Sequence, residues 1–286
     1  MAARPPIIRK IRQLRSRVSA WRDGQETVAL VPTMGGLHEG HLSLVRLAKK
    51  KADRAVVSIF VNPTQFGPNE DLGAYPRDEA EDAKKLAPLE TDLIFAPTPE
   101  EMYPEGFGTR VEVDGLTDVL CGGARPGHFT GVATVVSKLL LQCRPDFAFF
   151  GEKDYQQLLV VRRMVSDLDI PVKIIGGPIV RDDDGLALSS RNQYLDAEQR
   201  RAAPALYRTI RSVAQDLADG RAVNDAIGQG RSQLEAAGFK VDYLEVRDAA
   251  TLAPLPDTSS ASARVFAAAF LGSTRLIDNV MLPKTR

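Results

Sequence analysis

From Thr27 to about Val180, short β-branched apolar runs alternate with longer amphipathic stretches. Parallel strands cannot be joined by a tight hairpin and need a crossover, normally a helix, so this alternation predicts βαβ units and a parallel sheet. The strands are predicted over Thr27–Val31, Ala55–Val61, Asp92–Phe95, Asp146–Phe150 and Val172–Ile175. Helices are predicted over Gly40–Lys51, Arg77–Leu86, Gly131–Cys143 and Asp154–Leu168. In the second helix Ala80, Ala83, Leu86 and Ala87 form the apolar stripe, while Asp78, Glu81, Asp82, Lys84 and Lys85 are expected to face solvent.

After Val180 the pattern changes. An acidic turn at Arg181–Gly185 leads into one long helix-like stretch from Asp196 to Ala218 and a second from Ala222 to Ala237, with Gly220 and Gly238 as stops. Strand-like runs follow at Lys240–Val246, Arg264–Leu271 and Thr274–Met281, the first two separated by a Pro/Ser-rich loop at Pro254–Ala263. The expected architecture is α/β: a parallel-sheet N-terminal domain over residues 1–180 and a smaller α+β domain over 181–286. At 286 residues the chain buries enough surface to be stable without staples. Cys121 and Cys143 lie in no metal-ligand or Cys-x-x-Cys spacing and read as free thiols. With 37 basic against 37 acidic residues, no global field favours nucleic acid or an anionic membrane, and no apolar run reaches bilayer-spanning length. A cytoplasmic protein is expected.

In an open α/β sheet ligands bind beyond the carboxyl ends of the strands, and three such turns carry unusual residues. After the first strand comes Pro32-Thr33-Met34-Gly35-Gly36-Leu37-His38-Glu39-Gly40-His41. Its glycines admit a ligand close to the backbone, the helix start offers unpaired N–H groups, and two histidines three apart share a helical face, a cradle for polyphosphate. After the second strand, Asn62-Pro63-Thr64-Gln65-Phe66-Gly67 offers two amides that donate and accept at once, suited to a small polar molecule. The following loop, Pro68–Tyr75 with Asn69, Glu70, Asp71 and Gly73, is a candidate lid. The third turn, Gly151-Glu152-Lys153-Asp154-Tyr155-Gln156-Gln157, places a point charge suited to phosphate at Lys153 and an acceptor for ribose hydroxyls or a helix cap at Asp154. Gln157 is expected on the face of Lys153 one turn later. Further on, Leu188-Ser189-Ser190-Arg191-Asn192 is a candidate mobile anion clamp, and Arg125-Pro126-Gly127-His128-Phe129 either contacts an anion or only turns the chain.

These five motifs, in this order, resemble the pantoate–β-alanine ligase family, and the resemblance runs from about Ile11 to Met281. It implies a Rossmann-like N-terminal domain of the nucleotidyltransferase superfamily, a C-terminal lid domain and a homodimer. It also implies a two-step reaction, in which ATP and pantoate give pantoyl adenylate and pyrophosphate, and β-alanine then releases pantothenate and AMP. Carried across, Met34, Gly35, Gly36, Leu37, His38, Glu39, Gly40 and His41 line the ATP site with Gly151, Glu152, Lys153, Asp154, Val180, Leu188, Ser189, Ser190 and Arg191. His41, His38, Lys153 and Arg191 are the implied catalytic groups, with His41 as proton donor to the phosphates. Gln65 is expected to touch pantoate and β-alanine, Gln157 pantoate, and Asn62 joins them in the substrate pocket. Mg2+ is expected with the triphosphate; Glu81 and Asp82 are candidates to assist it, but its protein ligands stay unassigned. The histidine turn alone also fits an enzyme joining ATP to a phosphate acceptor, and a silent RNA-binding relative is the reading from another class. The neutral amides at Asn62, Gln65 and Gln157 disfavour the first, and the balanced charge disfavours the second.

Overall fold

The computed structural model describes residues 4–68, 70–255 and 262–283, so Asn69 of the candidate lid and most of the Pro/Ser-rich loop lie outside the described residues. Within it, β2 (Val28–Thr33), β3 (Arg54–Ile59), β4 (Leu93–Phe95), β5 (Phe147–Gly151) and β6 (Lys173–Gly177) are the five expected strands, shifted by one or two residues. They are joined by β1 (Ile7–Ile8), a two-residue edge strand too short to carry a periodic signal. All pair in parallel in the order β1-β4-β3-β2-β5-β6. The chain runs outward from β2 through β3 to β4, then returns to the other side of β2 for β5 and β6, so the order reverses at the β2/β5 pair. Ligand crevices form at such a switch point.

β2 and β3 are buried along nearly their whole length because helices cover both faces of a parallel sheet. One face packs Val31, Val45, Ala48, Val57, Ile94 and Phe149 into a common core. A helix over Ile11–Asp23 precedes β2, burying Leu14, Val18 and Trp21 at i, i+4 and i+7. This helix was not among those expected: its narrow apolar stripe is interrupted by Arg15 and Arg17.

The chain divides into two compact units, Met1–Glu152 with Gln156–Pro178, and Lys153–Tyr155 with Ile179–Arg286. The three-residue inclusion in the second unit has a physical cause. Asn279 Nδ2 donates to the Lys153 carbonyl at 3.0 Å, and the Tyr155 ring lies 3.8 Å from the Arg264 guanidinium and 6.0 Å from Phe266.

In the second unit β7 (Lys240–Asp248), β8 (Ala263–Leu271) and β9 (Thr274–Met281) form an antiparallel sheet with β8 in the middle, which is why β8 is apolar almost throughout. Helices Ala205–Ala218 and Val223–Ala236 cover it through Leu206, Ile210, Val213, Leu217 and Leu234. Gly230 sits where an added Cβ would be 2.6 Å from Val213 Cγ2, so its lack of a side chain sets the approach of the two helices. The expected long helix from Asp196 to Ala218 is two helices, Ala197–Ala202 and Ala205–Ala218. Pro204 has no N–H to return to the preceding turn and serves as the N-cap of the second helix, so the periodicity continues while the hydrogen-bond ladder does not. The fold is the α/β class expected, with a parallel sheet and a smaller α+β portion. Among the described residues no helix is long and apolar enough to cross a membrane.

Candidate active site

The histidine turn follows β2 directly. Gly35 and Gly36 take positive φ of 87° and 61°, a region closed to most side chains, and a Cβ on Gly35 would also meet Asp82 Oδ2 at 3.1 Å. The turn is held from below by Asp82, whose Oδ2 accepts from Gly36 N at 3.0 Å and whose Oδ1 accepts from Leu37 N at 2.7 Å. Lys85 Nζ adds a bond to Leu37 O at 2.8 Å. Asp82 is therefore not the solvated residue expected: it is 2% exposed, and burial raises its carboxyl above the usual range against the pull of those two N–H groups. Its oxygens serve the backbone of the turn. Among the described residues no group of three or more His, Cys, Asp or Glu is gathered to hold a metal ion.

His38 is not on the helix, as the i, i+3 reading expected. It is the N-cap in extended conformation, and the helix begins at Glu39. The two rings nevertheless meet, with centroids 4.1 Å apart, because the cap is reciprocal. His38 Nδ1 accepts from Gly40 N at 3.2 Å, and His41 Nδ1 accepts from His38 N at 3.4 Å. A nitrogen that accepts carries no proton, so in each neutral ring the proton resides on Nε2. Both imidazoles are thus oriented as Nε2–H donors by their own backbone.

Beside this turn stands the Asn62–Gly67 loop. The Asn62 side chain accepts from Thr64 N and caps the short Pro63–Gln65 turn. Gly131 lets the His128–Cys143 helix press against it: a Cβ there would fall 2.3 Å from Thr64 O. Gln65 is 9% exposed; its Oε1 accepts from Asn62 Nδ2 at 3.0 Å and its Nε2 lies 3.1 Å from Met34 Sδ. Asn62 itself is 1% exposed. The loop backbone is clamped by Arg125 and His128. His128 Nδ1 lies 2.8 Å from Gln65 O, which only accepts, so Nδ1 carries the proton and Nε2 accepts from Arg125 Nη1 at 3.0 Å. Arg125 forks onto Glu70 at 2.7 and 2.5 Å. Burial pushes Glu70 up, but that guanidinium outweighs it and holds the carboxyl below its usual range. Arg125 is thus spent on Glu70 of the candidate lid, so this segment does more than turn the chain. Cys121, Cys143 and Gln156 are structural. Gln156 ties Leu116 O, Val119 O and Cys121 N together, and burial pushes the Cys143 thiol up to about 12.

Gly151 ends β5, and Glu152–Asp154 is a 3-10 turn with the α-helix starting at Tyr155. The α-helical spacing expected between Lys153 and Gln157 therefore does not run through Lys153. Gln157 is half-buried on the first turn of the helix. In the second unit Val180 and Leu188 face each other across a short hairpin, with Leu188 N donating to Val180 O at 3.0 Å and Gly185 at its tip with φ of 94°. Ser189 then caps the Ser190–Tyr194 turn through Arg191 N, so Arg191 follows directly on this hairpin. Lys153, Ser189, Asn192, Tyr207 and Asp278 line one small pocket of this unit. Asp278 is held by the Arg181 fork at 2.5 and 2.8 Å, with the guanidinium stacked 3.6 Å from the Tyr207 ring centre.

The family model for pantoate-beta-alanine ligase matches residues 6–281. The chain belongs to the pantoate-beta-alanine ligase family. Relatives named pantothenate synthetase include that of Rhodospirillum rubrum, 58% identical over 96% of this chain and 98% of the relative, and that of Caulobacter vibrioides, 55% identical with the same shares covered. Among solved structures, the pantothenate synthetase of Thermus thermophilus superposes with a TM-score of 0.92 at 48% identity, covering 98% of this chain and all of that one. The pantoate-beta-alanine ligase of Francisella tularensis, complexed with beta-gamma ATP and beta-alanine, gives 0.82 at 36% identity, with 97% of each chain covered. The expectation of a family enzyme built on this α/β fold stands.

Proposed function

We propose that this chain condenses pantoate with β-alanine to give pantothenate, driven by ATP through a pantoyl adenylate, with pyrophosphate and AMP as products. The observation that carries the reading is the family match over residues 6–281, which takes in all five motifs. A carboxylate is a poor electrophile, so amide formation needs one of its oxygens turned into a leaving group. Pantoate attacks the α-phosphorus of ATP, and the charge that gathers on the phosphates is met by the Nε2–H hydrogen bonds of His38 and His41 and by the cations Lys153 and Arg191, His41 giving a proton only when it enters the step as the imidazolium. The turn from Met34 to His41, Gly151 to Asp154, Val180 and Leu188 to Arg191 is assigned to ATP. Mg2+ enters with the substrate as its triphosphate complex.

Gln65 and Gln157 are assigned to pantoate, with Gln65 also meeting β-alanine. Asn62 belongs to the same pocket, though its burial gives it the task of holding Gln65 rather than touching substrate. In the second step the amine of β-alanine attacks the acyl carbon and AMP leaves. A homodimer working in the cytoplasm, with no nucleic-acid or membrane partner, completes the reading. Incubation with ATP, Mg2+, pantoate and β-alanine, followed by mass spectrometry, should show pantothenate and AMP in equal amounts. ADP in place of AMP, or no pantothenate, would overturn it.

A further inference from the structure

An amide side chain offers an oxygen that accepts and a nitrogen that donates, and which one faces a ligand depends on what holds the other. At Asn62 this is settled by partners of fixed polarity. Thr64 N can only donate, and it faces Asn62 Oδ1 at 3.3 Å; Thr64 Oγ1 and Tyr103 OH donate to the same oxygen at 2.9 and 2.7 Å. On the other side Gly131 O can only accept, and it faces Asn62 Nδ2 at 3.2 Å. The second N–H of Asn62 therefore meets the oxygen of Gln65, at 3.0 Å. Gln65 is left to present its Nε2, whose single partner among the described residues is the weak acceptor Met34 Sδ at 3.1 Å.

We propose that Tyr103 is a positioning residue which, through Asn62, fixes Gln65 as a hydrogen-bond donor toward substrate. The groups Gln65 meets are then acceptors: a carboxylate or hydroxyl oxygen of pantoate and, on β-alanine, the carboxylate and not the ammonium. Tyr103 itself is built in. Its ring lies 6.1 Å from Phe60 and 5.1 Å from Phe107, with Lys138 Nζ 5.9 Å from its centre, so removing the hydroxyl leaves the packing in place. The relay rests on the proposed assignment of Gln65 to pantoate; the geometry that fixes its polarity does not.

Two variants test it. Tyr103→Phe deletes one of three donors to Asn62 Oδ1 and should raise the KM for pantoate about 3- to 10-fold, the range set by one net hydrogen bond. Its kcat, its directly measured ATP affinity and its melting temperature should stay near those of the wild type. Asn62→Asp puts an oxygen where Gln65 Oε1 and Gly131 O need a donor and forces Gln65 to turn its oxygen outward; pantoate KM should rise about 100-fold or more, as a buried acceptor facing acceptors costs a multiple of one bond. Tyr103→Phe with wild-type pantoate KM, or with equal losses in ATP affinity and melting temperature, overturns the relay. Hydrogen exchange at the Asn62 side-chain amide, followed by NMR, does not depend on turnover. It should speed up in Tyr103→Phe, and unchanged exchange overturns the relay even if wild-type protein makes no pantothenate, a result that would instead refute the functional reading.

Discussion

His41 and His38 receive their tautomers from the backbone they cap, so the residues that start a helix also aim two N–H donors. Truncation separates these roles. His41→Ala and Lys153→Ala should each lower the rate of adenylate formation by about 100- to 10,000-fold, the usual range for a lost proton donor or phosphate cation, with an unchanged circular dichroism spectrum. A variant that forms adenylate at the wild-type rate in a single-turnover quench is removed from the mechanism. Asp82 acts on the same turn from beneath. In Asp82→Asn only one of the Gly36 and Leu37 N–H groups keeps an acceptor, and a buried donor left facing an NH2 costs about 1–3 kcal/mol. A lower melting temperature and slower adenylation are expected together; a melt and rate both equal to the wild type would show that the turn does not need Asp82. The histidines, Gln65 and Lys153 could be singled out as candidates because rare residue types follow strands in a fixed order. Asp82 was not. In Glu81-Asp82 the charges are alike, and only the tertiary position of the Gly35–Leu37 backbone decides which of the two is drawn inward. Tyr103 was silent for the same reason, being 41 and 39 residues from its polar partners Asn62 and Thr64.

At the scale of elements, the sequence marks where a segment is regular better than where it is interrupted. The apolar spacing through Asp196–Ala218 continues across Pro204, so periodicity alone joins two helices. The 3-10 turn at Glu152–Asp154 likewise keeps helical composition while changing the spacing of the side chains it offers. Loop ends are decided by side chains meeting backbone. Asp248, at the end of β7, accepts from Ser262 Oγ at 2.6 Å and from Thr251 N and Ala250 N at 2.8 and 2.9 Å, and these donors lower its pKa to about 2. A carboxyl whose pKa is depressed by folding stabilises the fold above its unfolded value near 4 and loses that contribution as pH falls through its folded value. The stability gap between wild type and Asp248→Asn, read from urea melts, should hold constant from pH 7 to 5 and shrink between about pH 4 and 2. A gap that does not change over that interval contradicts the assignment.

For the whole molecule, the alternation of strand and helix was enough to specify a parallel sheet, since each strand advertises itself locally. The order β1-β4-β3-β2-β5-β6 was not readable, because pairing is a matter of which buried faces match across the chain, and β1 offers only Ile7 and Ile8. Yet it is this order that puts the turns after β2 and β5 on either side of a reversal, which gives the histidine motif and Gly151 their place. In the proposed reaction this sheet edge activates a carboxylate by adenylation before any amine is present. Exchange of labelled pyrophosphate into ATP, with Mg2+ and pantoate and without β-alanine, measures that step alone. Exchange should depend strictly on pantoate and stop in His41→Ala. No exchange from folded protein that binds ATP, or exchange that proceeds without pantoate, would contradict it.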